Sequence, residues 1–385
     1  MRDHPPRLVI CGGGTGGHVL PALAVHEELK RLGQLGDTLW IGGSTGVERE
    51  AATGAGIPFR AIPTGKFRRY LSPHTVVDAA RIPAGVLAAW NILRDFRPDV
   101  VLSTGGFVSV PTVVAAARQA PILTHEQTAI VGLANRINAR FADVFAVTYE
   151  STVSAASAIH KRVIVTGNPV RQSIQRGDAT RARQRWGFHD DLPLVYVTGG
   201  ARGASPLNQR IAPLLPAMLN HCQILHQTGP PSANDDAARL EAKRRDWPPD
   251  IQSRYRVVEY IGDDLADVYA AASLVVGRAG AGTVAELAVL GMPSILVPLP
   301  GAGGDEQTRN ARILHNAGGA ILLHQDDATP ERLQSLLRQL LRDPARLQTM
   351  GRRVRGVARP DAASRLVDAL LTLALESKTA RGHRS

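Results

Sequence analysis

The stretch that decides the fold is Leu274–Leu299, LVVGRAGAGTVAELAVLGMPSILVPL, which has the pattern of strand, glycine-rich turn, helix and strand. Its apolar start suits a strand buried on both faces, and Thr283 is placed to cap a helix that runs to about Leu290. Backbone N–H groups at such a helix start bind anions, and Glu286 one turn later could accept hydrogen bonds from the two hydroxyls of a ribose. The stretch therefore predicts a nucleotide site, although an ordinary strand–turn–helix in which Glu286 complements the helix dipole has the same pattern.

The composition describes a globular protein of about two domains. The chain has 385 residues, of which 44% are hydrophobic and 21% charged. Its two cysteines, Cys11 and Cys222, lie far apart in apolar runs, which predicts neither a disulfide framework nor a zinc cluster and fits a reducing cytoplasm. No stretch has the length of a membrane-spanning helix or the form of a signal peptide, so the protein is expected to act inside the cell.

The charge favours an anionic partner. A formal net charge of +11 fits nucleic acid, a diphosphate-bearing substrate or an acidic membrane surface. Aromatic residues make up only 4% of the chain, and it contains no helix-turn-helix, zinc-finger or RNA-binding motif. Nucleic acid is therefore the weakest of the three partners, and none is predicted.

A second glycine-rich turn follows the first predicted strand. The apolar run Arg7–Cys11 leads into Gly12–Gly17, and His18 precedes a helical pattern over Pro21–Leu32. The Gly-x-Gly-x-x-Gly spacing of this turn formally matches the dinucleotide fingerprint, but the next strand ends in glycines where a ribose-binding acid belongs, and Asp37 stands before that strand. No Gly-Lys-Ser/Thr follows any glycine loop, which excludes a Walker-type loop. What remains is a phosphate cradle that carries a histidine.

His18 is the candidate general base of this turn, because the ordinary histidine pKa of about 6.5 is close to working pH. A lone histidine at a helix start is more often a cap or a packing residue. His125, Glu126 and Gln127 stand at the end of another predicted strand and bring more polar groups to the same sheet edge. Structural hydrogen bonding would explain each of these residues singly, whereas the convergence of several glycine-bearing loops favours a functional edge.

The strand–helix alternation restarts after the linker-like stretch Gly167–Asp178. A strand at Leu194–Thr198, a third glycine turn at Gly199–Gly203 and a helix at Leu207–Leu219 are predicted to follow. The final helix, Ala362–Leu375, could pack in either half.

The whole pattern predicts an α/β protein, because strands that alternate with helices of this length form parallel sheets covered on both faces. We predict two Rossmann-like parallel-sheet domains, residues 1–166 and 167–385, which face each other across a cleft that closes on a ligand. No cluster of metal-binding side chains is visible in the sequence, so no metal and no other cofactor is expected.

Six blocks of the chain stand in an order known from one family. They are Gly13–His18 with Pro21, Gly105–Phe107, His125–Gln127, Gly167–Arg171, Gly199–Gly200 with Gly203–Ala204, and Gly280–Glu286 with Pro293. These blocks resemble the signature blocks of the MurG family, the peptidoglycan N-acetylglucosaminyltransferases of the GT-B fold. The resemblance covers essentially the whole chain.

The resemblance implies an inverting glycosyltransferase of cell-wall synthesis. Its donor would be UDP-GlcNAc, and its acceptor the muramyl C4 hydroxyl of undecaprenyl-diphospho-MurNAc-pentapeptide. It would act as a peripheral protein on the cytoplasmic side of the inner membrane. The alternatives are a related glycosyltransferase with another sugar or acceptor and, from another class, a nucleotide-binding oxidoreductase or a regulatory nucleotide-binding module.

The resemblance also implies the site residues. His18 or Glu126 would be the base, Arg171 would lie near the diphosphate, backbone groups at Ile261 would read the uracil, and Gln307 would bind the sugar hydroxyls. The full set of implied donor-binding residues is Thr15, Gly16, Gly17, Thr128, Arg171, Ala201, Ile261, Ala281, Gly282, Thr283, Val284, Ala285, Glu286 and Gln307.

Two positions depart from the family pattern on the donor side. Thr128 stands where the family usually has Asn, and Ala201-Arg202 replace the usual Ser-Gln. Thr128 keeps a hydroxyl, and Arg202 could meet a diphosphate as a charge-assisted donor. These departures keep a different donor or acceptor open.

An acceptor with a lipid tail implies contact with a membrane surface. The basic, aromatic segment Lys66–Leu71 is predicted to meet an anionic bilayer. Ile82, Val86, Leu87 and Trp90 follow at helical spacing and could join that surface, although periodicity alone favours an ordinary core-facing stripe.

Overall fold

The computed structural model describes residues 5–65 and 73–382. The chain divides into two compact units. Unit 1 comprises the described residues up to Arg171 together with those from Arg359 onward, and unit 2 comprises Gln172–Ala358. The division thus falls five residues after the predicted boundary at 166/167, and the C-terminal segment belongs to unit 1.

Unit 1 is built on a parallel sheet with the strand order β3-β2-β1-β4-β5-β6-β7 over the described residues. The strands are β1 Leu8–Gly12, β2 Thr38–Gly43, β3 Phe59–Ile62, β4 Val100–Gly105, β5 Ile122–Glu126, β6 Val144–Val147 and β7 Val163–Val165. The order reverses between β1 and β4, so the carboxyl ends of these two strands flank the point where ligands of such sheets bind.

The helices of unit 1 cover both faces of this sheet. In chain order they are α1 Gly16–Arg31, α2 Val47–Gly54, α3 Pro73–Phe96, α4 Val110–Ala116, α5 Leu133–Asn138 and α6 Glu150–Ser157. Helix α1 begins at Gly16 rather than at the predicted Pro21, which lies inside it. Pro21 removes one backbone hydrogen bond, but buried Val19, Val25 and Leu29 hold the helix in the core.

Unit 2 repeats the plan with the strand order β10-β9-β8-β11-β12-β13, again all parallel in the described part of the chain. The strands are β8 Leu194–Thr198, β9 Gln223–Gln227, β10 Tyr255–Val258, β11 Ala272–Gly277, β12 Ser294–Leu296 and β13 Ala320–Leu322. Here the order reverses between β8 and β11, which places their glycine turns at the ligand-binding edge. The fold is therefore α/β with two Rossmann-like sheets, as predicted.

Ten α-helices are described in unit 2. They are α7 Ala179–Trp186, α8 Ser205–Ile211, α9 Leu215–Met218, α10 Asp236–Arg245, α11 Pro249–Ser253, α12 Leu265–Ala271, α13 Ala281–Leu290, α14 Glu306–Asn316, α15 Pro330–Leu341 and α16 Pro344–Arg355. The single helix predicted over Leu207–Leu219 is thus wrong. A 3₁₀ turn at Ala212–Leu214 separates α8 from α9, because Pro213 and Pro216 cannot donate the hydrogen bonds of a continuous helix.

The last helix, α17 at Ala362–Gly382, belongs to unit 1. Its buried Leu366, Leu370 and Leu373 join the cluster formed by strand β1 and helix α1. Gly167, with φ of 86°, lies against Arg359 and Ala362 and so ties β7 to this returning segment. Burial of that apolar face explains why the predicted C-terminal domain, residues 167–385, does not keep its last helix.

Candidate functional site

The glycine turn after β1 places His18 in the first turn of α1. Thr15 is the N-cap in extended conformation, and its Oγ1 lies 3.0 Å from Nδ1 of His18. Gly16 and Gly17 form the start of the helix, and a Cβ at Gly16 would meet nothing within 4 Å. The predicted residues Thr15, Gly16, Gly17 and His18 therefore lie together at an open helix start.

The protein surroundings keep His18 neutral. Burial lowers the pKa of His18 below its ordinary value, while the negative charges of Glu126 and Glu48 and a hydrogen bond with the backbone of Gly13 oppose this shift. Because the pKa is lowered from 6.5, the imidazole is uncharged at pH 7 and can accept a proton.

Glu48, in α2, is a residue that the sequence did not single out. Its carboxylate is fully buried and accepts hydrogen bonds from the backbone N–H of Gly14 at 3.0 Å and of Gly43 at 3.1 Å. A Cβ at Gly13 or Gly46 would lie within 2.5 Å of this side chain. The phosphate-cradle interpretation of the first glycine turn is thus wrong at Gly14, whose N–H already binds an anion.

Glu126, the other predicted candidate base, anchors a loop. Its Oε1 accepts from the backbone N–H of Thr128 at 3.0 Å and from the Thr128 hydroxyl at 2.9 Å. Its Oε2 accepts from the N–H of Gly132 at 2.9 Å and from Nδ2 of Asn135 at 3.0 Å. Four donors therefore occupy the two carboxylate oxygens, and the loop after β5 is shaped around them.

The neighbouring His125 is structural. Its Nε2 lies 2.9 Å from the Gly167 carbonyl, and Nε2 of Gln127 lies 3.2 Å from its Nδ1. Complete burial lowers the pKa of His125 to about 4. A neutral imidazole that donates to one partner and accepts from the other satisfies both contacts.

Arg171 lies at the end of unit 1, where its positive charge acts on Glu27 of α1. Burial raises the pKa of Glu27, and Arg171 opposes that shift. Of the predicted donor residues, Thr15, Gly16, Gly17, Thr128 and Arg171 belong to unit 1, and all others belong to unit 2.

In unit 2 the stretch after β11 forms the predicted helix start, but with a different cap. Gly280 is the N-cap, and its carbonyl accepts from the N–H of Val284 at 3.0 Å. Thr283 therefore lies inside the first turn rather than capping it. The N–H groups of Ala281, Gly282 and Thr283 sit at the positive end of the α13 dipole, which favours an anion.

Glu286 lies one turn further along α13, beside the partly buried Ala285. It is 8% exposed, and its Oε2 accepts from the hydroxyl of Tyr269 at 3.1 Å. The Tyr269 ring in turn packs edge-on against Tyr196, with centroids 5.7 Å apart. The carboxylate is thus held in one orientation near the helix start.

Gln307, at the start of α14, connects the loops that follow β11 and β12. Its Oε1 accepts from the N–H of Ala279 at 3.3 Å and of Leu299 at 3.0 Å. Because both partners are donors, its amide nitrogen is directed away from them and can donate to a ligand. Arg278 braces the same loops by donating to the carbonyls of Val297 and Pro298.

The third glycine turn carries Ala201 and Arg202 on its exposed side. Gly203 has φ of 71°, and a Cβ there would lie 1.9 Å from the Thr228 carbonyl, so only glycine fits this approach to the end of β9. Ile261, predicted to read a base, is 3% exposed, and its N–H donates to Oε1 of Gln227 at 3.0 Å.

Over residues 5–65 and 73–382, no group of three His, Cys, Asp or Glu side chains is arranged to hold a metal ion. In the same ranges, no helix combines the length and the apolar character needed to cross a bilayer.

Helix α3 shows which of its apolar residues face outward. Leu87 is 64% exposed and Trp90 is 38% exposed, whereas Val86 packs on the core beside buried Ala89 and Leu93. The predicted stripe is thus part core and part surface. The basic segment Lys66–Leu71 lies outside the described residues.

Comparisons with known proteins agree over both units. Residues 8–147 match the N-terminal domain of glycosyltransferase family 28, and residues 194–366 match its C-terminal domain. A protein of Desulforudis audaxviator named UDP-N-acetylglucosamine--N-acetylmuramyl-(pentapeptide) pyrophosphoryl-undecaprenol N-acetylglucosamine transferase is 38% identical over 96% of this chain and 98% of its own length. A protein of the same name from Listeria monocytogenes is 36% identical over 95% and 99%.

A solved structure gives the same result. The crystal structure of Acinetobacter baumannii MurG superposes with a TM-score of 0.72 at 29% identity. The alignment covers 96% of this chain and 100% of that one.

Proposed function

Because the chain belongs to the MurG family of glycosyltransferase family 28, we propose that it transfers GlcNAc from UDP-GlcNAc to undecaprenyl-diphospho-MurNAc-pentapeptide. The acceptor group is the muramyl C4 hydroxyl, and the anomeric centre is inverted. The observation that carries the proposal is identity of 38% with an enzyme named for this transfer over nearly the whole of both chains. The sequence similarity therefore extends over both units.

Unit 2 binds the nucleotide in this proposal. The α13 start at Ala281–Thr283 holds the diphosphate, and Glu286 accepts hydrogen bonds from the ribose hydroxyls. Two things support these roles: the positive end of the helix dipole, and the fixed carboxylate one turn away. The carbonyl of Ile261 accepts the N3–H of uracil, and the amide nitrogen of Gln307 donates to a sugar hydroxyl.

Unit 1 supplies the base. His18 takes the proton of the acceptor hydroxyl as the oxygen bonds to the anomeric carbon, while the bond to UDP breaks and UDP leaves with the electron pair. His18 is favoured over Glu126 because the carboxylate of Glu126 already accepts four hydrogen bonds, whereas the pKa of His18 is lowered and its ring is neutral. The charges of Glu126 and Glu48 then stabilise the imidazolium that forms.

Thr128 bears on the choice of sugar. Its hydroxyl lies 2.9 Å from Oε1 of Glu126 and 2.6 Å from the carbonyl of Ile130, so its single proton is used within the loop. An amide in its place would have donors left for a ligand. This favours, as a second candidate, a related transferase with another UDP-sugar, and the donor panel below distinguishes the two.

The test is transfer of radiolabelled GlcNAc from UDP-GlcNAc to the lipid-linked acceptor, with UDP-glucose, UDP-GalNAc and NADH oxidation as alternatives. UDP-GlcNAc should be the preferred donor, and His18→Ala should lower kcat by about 10²–10⁴-fold because the proton acceptor is lost. Glu126→Gln should accept fewer hydrogen bonds from the loop after β5, but it should not abolish turnover. A His18→Ala variant with near-parent turnover, or preference for another donor, would contradict the proposal.

We further propose that the enzyme works as a peripheral protein on the cytoplasmic side of the inner membrane. The lipid tail of the acceptor and the outward-facing Leu87 and Trp90 support this surface. The contact of the basic segment Lys66–Leu71 with anionic lipid stays a prediction.

The membrane surface is tested by co-sedimentation with anionic vesicles. Replacing Leu87 and Trp90 together by Gln should lower the bound fraction several-fold, because the apolar contact with the bilayer is removed. Leu133→Gln is the matched control, since Leu133 is also an exposed leucine of unit 1 at 58%. Equal binding by the double variant and the control would show that this face is not the contact.

A further inference from the structure

One buried side chain in unit 2 connects three parts of the nucleotide site. Gln227 is the last residue of β9 and is 3% exposed. Its Oε1 accepts from the N–H of Ile261 at 3.0 Å and from the hydroxyl of Tyr196 at 3.1 Å. Its Nε2 donates to the carbonyl of Gly200 at 2.9 Å.

The orientation of this amide is fixed by its partners. A backbone N–H can only donate and a backbone carbonyl can only accept, so the oxygen of Gln227 must face Ile261 and its nitrogen must face Gly200. Gly200 has φ of 80° and begins the turn that carries Ala201 and Arg202. One amide thus sets the distance between this turn and the Ile261 backbone.

The same side chain is connected to the ribose position. Tyr196, which donates to Gln227, packs edge-on against Tyr269, and Tyr269 donates to Glu286 at 3.1 Å. The chain of contacts runs beneath the carboxyl ends of neighbouring strands β8 and β9 to helix α13. All of its members lie in unit 2.

We propose that Gln227 is a positioning residue for nucleotide recognition, which holds the base-reading backbone at Ile261 in register with the Gly200 turn. The inference rests on the proposed function, because it assigns Ile261 to the nucleobase. Gln227 is buried and its amide is bonded to protein groups, so we expect its loss to weaken the binding of the nucleotide rather than to slow the chemical step. Discrimination between uracil and cytosine depends on the same backbone position, since these bases differ in the groups at N3 and C4.

The chain provides a matched control four residues earlier on the same strand. Gln223 is 1% exposed at the amino end of β9, where its Oε1 accepts from the N–H of His189 at 2.8 Å. Its Nε2 donates to the carbonyls of His189 at 2.7 Å and Leu192 at 3.0 Å. It is also a buried amide that bridges backbone groups, but at the edge away from the glycine turns.

The experiment compares Gln227→Met with Gln223→Met by calorimetric titration of UDP and CDP and by steady-state transfer from UDP-GlcNAc. Both variants should lower Tm by a similar amount, because each removes a buried amide. Gln227→Met should weaken UDP binding at least tenfold, lower the ratio of CDP to UDP dissociation constants, and raise KM with kcat within threefold. Gln223→Met should leave UDP affinity, the ratio of CDP to UDP dissociation constants, KM and kcat within twofold of the parent.

Three outcomes would overturn the inference. UDP affinity within twofold of the parent in Gln227→Met, equal loss in Gln223→Met, or a fall in kcat without a change in KM would each do so. If Gln227→Met does not fold, Gln227→Glu takes its place, since it keeps both acceptor bonds and replaces the donor to Gly200 by an oxygen that repels the Gly200 carbonyl. If the unchanged protein does not bind UDP, the proposed function is wrong as well. That result is distinct from the three outcomes above, in which the unchanged protein binds UDP.

Discussion

At the scale of single residues, a buried carboxylate explains why the first glycine turn is built from glycine. Oε2 of Glu48 accepts from Gly14, its Oε1 accepts from Gly43, and Cβ atoms at Gly13, Gly42 and Gly46 would collide with its side chain. The glycines therefore make room for an internal anion that fixes the turn before His18. If His18 is the base, as we propose, its position depends on this carboxylate through the turn, and Glu48 needs no contact with substrate.

Glu48→Gln tests this role with a change that keeps the shape of the side chain. Both partners of the carboxylate are N–H donors, so an amide can satisfy only one of them, and the other faces an NH₂ group. The free energy of unfolding of unit 1 should fall by about 1–3 kcal/mol, and amide hydrogen exchange at Gly14 or Gly43 should accelerate.

Glu50→Gln is the control for that experiment, because Glu50 lies exposed on the same helix α2. It should change neither urea denaturation nor exchange at the glycine turn. Unchanged stability and exchange in Glu48→Gln would show that the carboxylate does not fix the turn.

The sequence could indicate some of these residues and not others. His18 and Glu286 were predicted because each follows a glycine turn at a helix start, which is a local pattern. Glu48 and Gln227 were missed because their partners lie 34 residues away, at Gly14 for Glu48 and at Ile261 for Gln227. Only the folded chain brings such partners together, and no spacing in the sequence indicates them.

At the scale of elements, strands were more predictable than helix ends. The apolar run Leu194–Thr198 gives strand β8 with the predicted bounds, because a strand buried on both faces needs a continuous apolar run. Helix α1 begins five residues before the predicted Pro21, and α13 is capped by Gly280 instead of Thr283. Backbone conformation decides these starts, and side-chain preference gives only a weak indication of it.

Packing, and not the apolar pattern of the sequence, decides which unit helix α17 belongs to. Its apolar side chains predict a buried face but do not say which sheet they cover. The structure places them against β1 and α1, and Oγ of Ser364 donates to Glu28 of α1 at 2.5 Å. Burial in that cluster, rather than proximity in sequence, assigns the element to unit 1.

At the scale of the whole molecule, the two units have the same plan and place different side chains at their glycine turns. Each sheet reverses its strand order where a glycine turn begins, at β1 in unit 1 and at β8 in unit 2. Unit 1 places a neutral histidine at its turn, whereas unit 2 places a helix start followed by a fixed carboxylate. We propose that the two units divide the reaction, with the base in unit 1 and the nucleotide in unit 2.

Calorimetric titration of UDP into the parent, His18→Ala and Glu286→Ala tests the division most directly, with Tyr269→Phe as the control for loss of the Tyr269–Glu286 hydrogen bond. His18→Ala should bind UDP as the parent does, while Glu286→Ala should lose about 1.5–3 kcal/mol of binding free energy because charge-assisted hydrogen bonds to the ribose are removed. Tyr269→Phe keeps the carboxylate and should lose much less. Unchanged UDP affinity in Glu286→Ala, or an equal loss in His18→Ala, would contradict the account.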